Sequence, residues 1–256
     1  MGASRLRIVI LGYIIRGPFG GMTWHHLQYV KGFESLGHDV YFLEDSDEYA
    51  SCYNPETYEM STDCTYGINY ARLCFDRVGL SNRWAYYDAH TQTWFGPAAD
   101  NVLAICASAD LLINVSGINP MREWLEQIPR RVLIDTDPVF LQVRHLRNEQ
   151  AKELAARHTA FLSFGENIGG IASIPDDGFP WVPTRQPVVL DCWPATDGPK
   201  DGCLTTVMQW DSYPPAQYEG RFFGMKSMSF NLFNASMVLI FRWSMNNCAI
   251  SLIYSP

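Results

Sequence analysis

Hydrophobic residues along the chain fall into short unbroken runs separated by longer stretches of mixed character. Residues 7–14 (RIVILGYI) form a continuous apolar run with β-branched content, which predicts a strand buried on both faces. A glycine-rich turn follows, Gly17-Pro18-Phe19-Gly20-Gly21. Beyond it lies an amphipathic stretch from Trp24 to Leu36 in which Leu27, Val30, Phe33 and Leu36 share one stripe. Thr23 is placed to cap that helix and Gly37-His38 to end it. Residues 39–45 (DVYFLED) then make a second apolar run that ends in acids, so the first 45 residues read as a βαβ unit.

The pattern continues to about residue 175. Residues 46–66 show no periodicity and read as a long loop. Ile68 to Val78 is predicted helical, RWAYYDA a short strand, and Ala98 to Ala109 a helix leading into the strand LLINVS. Met121 to Gln127 is a short helix, RVLIDTDP a strand stopped by Pro138, Val139 to Arg157 a charged amphipathic helix, and TAFLSFGEN a further strand. Strands alternating with helices predict an α/β protein with a doubly wound, mostly parallel, Rossmann-like sheet.

The character then changes. More than half of the fifteen prolines lie between Pro175 and Pro215, a linker or surface-crossing composition. Within that region CLTTVMQW reads as the first strand of a second domain. Residues 231–256 carry Arg242 as their only charge and include the run Met237-Val238-Leu239-Ile240-Phe241, with no helix face or strand alternation to organise them. The expected division is a Rossmann-like domain over 1–195, a linker and first strand over 196–230, and an apolar tail outside the pattern over 231–256. Such a tail needs burial, on its own sheet or on a second copy, which predicts a homodimer through residues 204–256.

Composition narrows the class. With 256 residues, 47% of them hydrophobic and 18% charged, the chain is neither disordered nor low-complexity. Nineteen Lys plus Arg against 27 Asp plus Glu give a net charge of −8, from which a nucleic-acid partner is not expected. Seven scattered cysteines with no C-x-x-C pair and no zinc spacing predict reduced thiols, no metal site and a cytoplasmic protein. No uninterrupted stretch reaches the ~20 apolar residues of a membrane span.

Candidate chemistry lies where each strand delivers its carboxyl end, since open parallel sheets bind ligands there. The first strand gives the glycine turn, with Gly17, Gly20 and Gly21 able to meet a ligand backbone-first, and then His25 and His26. The turn matches neither G-x-G-x-x-G nor a P-loop, because Pro18 stands where the P-loop lysine belongs, and this disfavours an NAD enzyme. The second strand gives Glu44 and Asp45, the third Ser116 and Asn119, the fourth Asp135 and Asp137, and the fifth Glu166 and Asn167. An imidazole in the first helical turn is held neutral by the helix dipole, which suits a general base on a hydroxyl, oriented by Asp137 or Glu166. One of two adjacent histidines turns inward, so one of the pair is the catalytic candidate. Asp135 and Asp137, two apart on a strand, would share a face and split their pKa values into an acid and a base. Strand and helix capping is the competing role for these acids.

The segment RIVILGYIIRGPFGGMTWHHLQYVKGFESLGHDVYFLED resembles the amino-terminal domain of GT-B glycosyltransferases, with its first strand, glycine-rich loop, helix and G-H-D-V opening the second strand. LLINVSG, RRVLIDTDP and FLSFGEN are similar to later strands of that domain, so the resemblance spans about residues 5–230. It implies an acceptor-binding half domain in which His25 or His26 is the base. It also implies that a nucleotide sugar enters only with a donor-binding half, for which too few residues remain, so the chain reads as truncated. No cofactor is expected otherwise, and the partner is a sugar or glycoside. The alternative is a stand-alone glycoside hydrolase using a carboxylate pair drawn from Asp135, Asp137, Glu166 and Glu44.

Overall fold

A computed structural model of the chain describes residues 4–168, 174–198, 204–209, 214–224, 239–243 and 249–254. The chain divides into two compact units, 1–192 and 193–256.

The first unit is built on an eight-stranded sheet. Its elements are β1 (Arg7–Leu11), α1 (Gly20–Ser35), β2 (Asp39–Asp45), β3 (Cys52–Asn54), β4 (Glu59–Ser61), α2 (Thr65–Arg77), β5 (Trp84–Asp88) and β6 (Thr93–Phe95). Then follow α3 (Val102–Ala107), β7 (Leu111–Val115), α4 (Glu123–Glu126), β8 (Arg130–Asp135), α5 (Phe140–Arg147), α6 (Glu149–Ala156), β9 (Ala160–Ser163) and β10 (Trp181–Pro183). The strand order is β10-β9-β8-β7-β1-β2-β5-β6, parallel throughout except for the antiparallel β5–β6 edge. This is the doubly wound, Rossmann-like α/β architecture.

The apolar runs form strands because both faces are covered. Ile8, Ile10 and Phe42 pack on one face with Leu27 and Val30 of α1 and Phe75 of α2. Val9, Leu11, Leu43 and Leu112 pack on the other with Val102 and Ile105 of α3 and Leu125 of α4. A third cluster, Leu133, Ala155 and Phe161, joins Phe179 and Trp181 under α6.

The elements depart from the expected ones at four places. α1 begins at Gly20, and its N-cap is Phe19 in extended conformation with no side-chain cap. Thr23 is buried inside the helix instead, with its hydroxyl 2.8 Å from that of Tyr70. The 46–66 loop contains the hairpin β3–β4, whose strands are too short and too polar to show periodicity. The helix expected over 139–157 is two helices, because Asn148 takes an extended backbone (φ −134°, ψ 104°) and caps α6 by accepting the N–H of Ala151 at 3.1 Å. Finally, the proline-rich segment supplies β10, where Pro183 is tolerated on a sheet edge.

In the second unit, β11 (Leu204–Gln209), β14 (Leu239–Trp243) and β15 (Ala249–Tyr254) form an antiparallel sheet in the order β11-β15-β14. The hairpin of β12 (Ala216–Tyr218) and β13 (Arg221–Phe223) lies between β11 and β14 in sequence. The strand expected at CLTTVMQW thus exists, but its neighbour is antiparallel. Two parts of the tail, in which the sequence shows no strand alternation, are strands paired through their backbones. The remainder of that tail lies outside the described residues. No helix among the described residues is long and apolar enough to cross a membrane.

Candidate functional site

The chain leaves β1 toward β2 on one side and later returns to lay β7 on the other. The carboxyl ends of β1 and β7 are therefore the topological switch point where an open α/β sheet takes its ligand.

The loop after β1 is already occupied by an anion of the protein's own. Glu44, 1% exposed, turns inward from the end of β2. Its Oε2 accepts the N–H groups of Ile14 and Ile15 at 2.6 and 2.8 Å, and its Oε1 accepts that of Arg16 at 2.7 Å. Burial raises its pKa, opposed by the Arg16 charge and by these three amides. The Arg16 guanidinium lies 3.6 Å away, 4% exposed, with Nε, Nη1 and Nη2 making no hydrogen bond among the described residues. Glu44 is thus a loop-holding carboxylate, which corrects its expected place among the ligand-binding groups. The glycines behave unevenly. A Cβ on Gly12 would stand 2.1 Å from the His26 ring, so glycine there lets α1 close onto β1, whereas Cβ atoms on Gly20 and Gly21 would meet open space. Gly17 lies against the Tyr13 ring.

The two histidines separate as one in and one out. His26 is fully buried, its Nδ1 donating to the Met22 carbonyl at 2.9 Å and its Nε2 facing the Tyr13 N–H at 3.4 Å. Burial, then the neighbouring His25 and Arg16, holds its pKa down to about 3. With both nitrogens committed to backbone it has no route to a substrate, which corrects its candidacy as a base. His25 is half-buried, edge-on to the rings of Tyr29 and Phe164, and bonded to the Gln186 side chain. Its pKa is lowered by burial, partly offset by Gln186. It lies in the second turn of α1, so desolvation rather than the helix terminus keeps it neutral.

The acids are not gathered into a pair. Asp45 forms a two-pronged ion pair with Arg122 (2.9 and 3.1 Å), and its N–H donates to Asn119 Oδ1 at 2.9 Å. Asn119 Nδ2 donates to the Gly12 carbonyl at 2.8 Å, so both residues stitch the ends of β1, β2 and β7 together. Asp135 is buried under α5 and accepts from Gln142 (2.9 Å), Ser163 (2.8 Å) and the Asp137 N–H (2.9 Å). Burial, with a smaller contribution from the Asp137 charge, raises its pKa against these bonds. Because β8 ends at Asp135, Asp137 sits in the following turn, exposed, and strand alternation no longer aligns the two. Glu166 is exposed and paired with Arg185, and Asn167 is exposed. The Asp137 charge is felt by Asp135, but Asp135 is fully buried with its oxygens committed to these bonds, so the two are not presented together to a ligand as the expected acid–base pair of a hydrolase. Ser116 does meet a neighbour, its hydroxyl 2.8 Å from that of Thr136 across β7 and β8.

Backbone strain concentrates at the same edge. Ser116 (φ 68°) and Gly117 (φ 60°) are consecutive left-handed residues after β7, and Val139 (φ 78°) precedes α5. A β-branched residue in that region costs of order 1–3 kcal/mol and persists only where its surroundings enforce it.

Sequence reasoning missed a second group at this edge. A cavity of about 190 Å³ lies between β7, β8 and the α5–α6 pair, lined among others by Asn114, Met121, Leu133, Arg144, His145 and His158. His145 and Asp177 are both buried, with Nδ1 2.7 Å from Oδ2, and Asp177 Oδ1 accepts the Trp181 indole N–H at 2.8 Å. His158 Nδ1 donates to the Ala155 carbonyl at 3.0 Å, so its Nε2 accepts from Asn114 Nδ2 at 3.1 Å. Burial holds the His158 pKa down to about 4. Asn114 Oδ1, in a residue 1% exposed, has no partner among the described residues. The one signal available was a polar residue inside the apolar run LLINVS. Among the described residues no group of three His, Cys, Asp or Glu side chains could hold a metal ion.

No family model and no curated protein matches the chain. Solved structures do. An α-glucosyltransferase in complex with UDP and a 13-mer DNA containing an HMU base matches at 16% identity and TM-score 0.33, over 63% of this chain and 38% of that one. The complex with UDP and a 13-mer DNA containing a central A:G mismatch matches at 15% identity and TM-score 0.38, over 72% and 42%. The complex with UDP matches at 16% identity and TM-score 0.37, over 72% and 44%. The chain spans about two fifths of the length of these structures. Because two of the three hold DNA, the exclusion of nucleic acid read from the net charge is withdrawn. Its physical flaw is that a net charge of −8 is a sum, while the last turn of α5 is locally basic, with Arg144, His145 and Arg147.

Proposed function

We propose that the Rossmann-like unit is the acceptor-binding half of a glycosyltransferase, with His25 as the base that takes the proton of an acceptor hydroxyl. The observation that carries this reading is His25 itself. It is a half-buried imidazole that α1 sets beside the carboxyl edge of β1, kept neutral by desolvation and steadied by Gln186. A neutral base poised below its ordinary pKa accepts a proton only from a hydroxyl already being consumed by bond formation, which suits transfer. Chemistry at the anomeric carbon would come from a nucleotide sugar bound by a donor half. Ser116, Asp137, Glu166 and Asn167 stand on the same edge as candidates to contact the acceptor. Among the described residues the acids of the hydrolase alternative are not presented as a pair: Glu44 and Asp135 are spent on hydrogen bonds inside the fold, and Glu166 on Arg185.

The test is saturation-transfer NMR of the purified chain against mono- and disaccharides and p-nitrophenyl glycosides. Sugars should bind without any nucleotide, and His25→Ala should weaken them about tenfold with the far-UV spectrum unchanged. His25→Gln should recover part of the binding but none of the transfer once a donor half is supplied. Failure of every sugar to bind would overturn the acceptor reading. Release of p-nitrophenol with no nucleotide sugar present would replace it with hydrolysis.

A further inference from the structure

Two concavities adjoin where α2 passes α1, and Tyr70 and Leu73 of α2 line both. The first, about 470 Å³, lies between α2 and the β3–β4 hairpin, and its lining includes Asn54, Glu56, Asp63, Thr65, Tyr66 and Asn69. The second, about 300 Å³, lies between α1 and α2 and is walled by Gly20, Trp24, Leu27 and Val78. Each has the size of a small-molecule site, and the exposed Leu73 and the Tyr70 ring form the wall they share.

The polar half presents donors and acceptors in fixed parts. Asn54 Oδ1 accepts the Glu56 N–H at 2.9 Å, so the amide has its N–H₂ left to give. Asp63 Oδ1 accepts the Thr65 N–H at 2.9 Å. The Thr65 hydroxyl and that N–H hold the Asp63 carboxyl below its ordinary pKa, so it stays an ionised acceptor. Glu56 and Asn69 are exposed, and add a second carboxylate and a further amide. In the apolar half, Thr23 and Tyr70 spend their hydroxyls on each other at 2.8 Å, and Cys74 is bonded to Tyr70. Arg77, the one charged residue in that lining, stands at the opposite end of α2 from Thr65. Gly20 opens α1 in helical backbone, and a Cβ there would meet nothing within 4 Å. Packing thus does not require glycine at this position as it does at Gly12, and the missing side chain gives the groove its width.

These features select an occupant. A cation would meet Glu56 and Asp63 but oppose the N–H₂ of Asn54, and an anion would face both carboxylates. A hydroxyl donates and accepts, so a ring carrying several hydroxyls satisfies amides and carboxylates together. An apolar group attached to that ring would leave water against Trp24, Leu27, Leu73 and Val78. We propose that this groove binds a glycoside with an apolar aglycone, its sugar ring between the β3–β4 hairpin and α2 and its aglycone between α1 and α2. The inference goes beyond the acceptor reading and does not rest on it, because α1 turns Gly20 and Trp24 to this groove and His25 to Phe164 and Gln186.

Calorimetry on the full chain tests the assignment with hexyl β-D-glucoside and hexyl β-D-galactoside, their methyl counterparts, hexanol, hexylammonium and hexanoate. The better hexyl glycoside should bind at least about tenfold more tightly than its methyl counterpart and than hexanol. Asn54→Ala should remove most of the advantage over hexanol and leave hexanol itself unchanged. Gly20→Phe, whose side chain projects into the groove, should block the hexyl glycoside and hexanol alike. Leu73→Asp, at an exposed position where the fold tolerates it, should weaken both about tenfold and serves where Gly20→Phe lowers the melting temperature. Hexylammonium or hexanoate binding more tightly than either hexyl glycoside overturns the proposal in favour of an ion site. So do equal affinities for hexyl glycoside and hexanol, no binding of either glycoside up to about 10 mM, or an unchanged affinity in Leu73→Asp. Leu73→Asp should leave the His25-dependent saturation transfer to free mono- and disaccharides intact, which keeps failure here separate from failure of the His25 reading.

Discussion

Replacing Glu44 by Gln removes one negative charge and changes almost no volume, so its effect isolates the carboxylate in the loop after β1. The amide oxygen can keep the N–H groups of Ile14 and Ile15, which share Oε2 at 2.6 and 2.8 Å. The new N–H₂ then faces the Arg16 N–H, whose acceptor at 2.7 Å is gone, and donor meets donor. A hydrogen bond to a charged group contributes about 1.5–3 kcal/mol. The Arg16 guanidinium, at 3.6 Å and 4% exposed, is left as a buried cation with no other counter-ion among the described residues. Breaking a buried pair from one side costs about 3–5 kcal/mol, a range that includes the lost bond. Urea denaturation followed by tryptophan fluorescence should show E44Q destabilised by that amount. Replacing both partners removes the charge imbalance, so Glu44→Gln with Arg16→Leu should be less destabilised than the sum of the two single variants by about 2 kcal/mol or more. A Glu44→Gln variant within about 1 kcal/mol of wild type, or a strictly additive double variant, would refute the ion-pair account.

Three further outcomes follow from single sites. His158 is neutral when folded, with a pKa of about 4 against 6.5 unfolded, so its contribution is complete above pH 6.5 and is lost as the pH falls toward 4. Wild type should lose about 2 kcal/mol relative to His158→Gln between pH 7 and pH 5, and parallel pH profiles in urea would contradict this. Val139→Gly relieves a β-branched residue at φ 78° and should change stability by roughly +1 kcal/mol, read as a higher melting temperature; a drop would mean its side-chain packing outweighs the strain. Asn148→Ala removes the cap of α6 and should cost about 1 kcal/mol, with loss of amide protection confined to the N–H groups of the first turn of that helix.

The parts of the fold legible in the sequence are those in which local pattern and tertiary burial agree. RIVIL, DVYFLED and LLINV are covered on both faces, so an unbroken apolar run suffices to mark them. The break at Asn148 was hidden because the amphipathic period continues through α5 into α6 and only the backbone angle of one residue divides them. The site was harder for the same reason in reverse. An acid at the end of a strand reads alike whether it faces ligand or loop, and only the path of residues 14–16 shows that Glu44 faces the loop. His145 and Asp177 are 32 residues apart, which no local spacing connects. The choice between His25 and His26 was decided by the glycine at position 12, whose missing side chain admits one ring and not the other.

What the carboxyl edge has used up bears on what it can still bind. Three consecutive amides after the first strand make the type of concave nest that holds a phosphate in dinucleotide and nucleotide sites. Here Glu44 fills that nest from within, and a pyrophosphate could enter only by displacing a buried carboxylate onto which the loop is folded. The acid that would grip a ribose in an NAD enzyme is turned to the protein's own backbone. A unit so built is poorly suited to the phosphate end of a donor and leaves the half-buried His25 as the edge group best placed for a neutral ligand. The internal anion is what the proposed acceptor role requires of this loop, and E44Q tests it: if loosening the loop allowed the chain to bind pyrophosphate, the nest would be a donor site held shut rather than a structural closure.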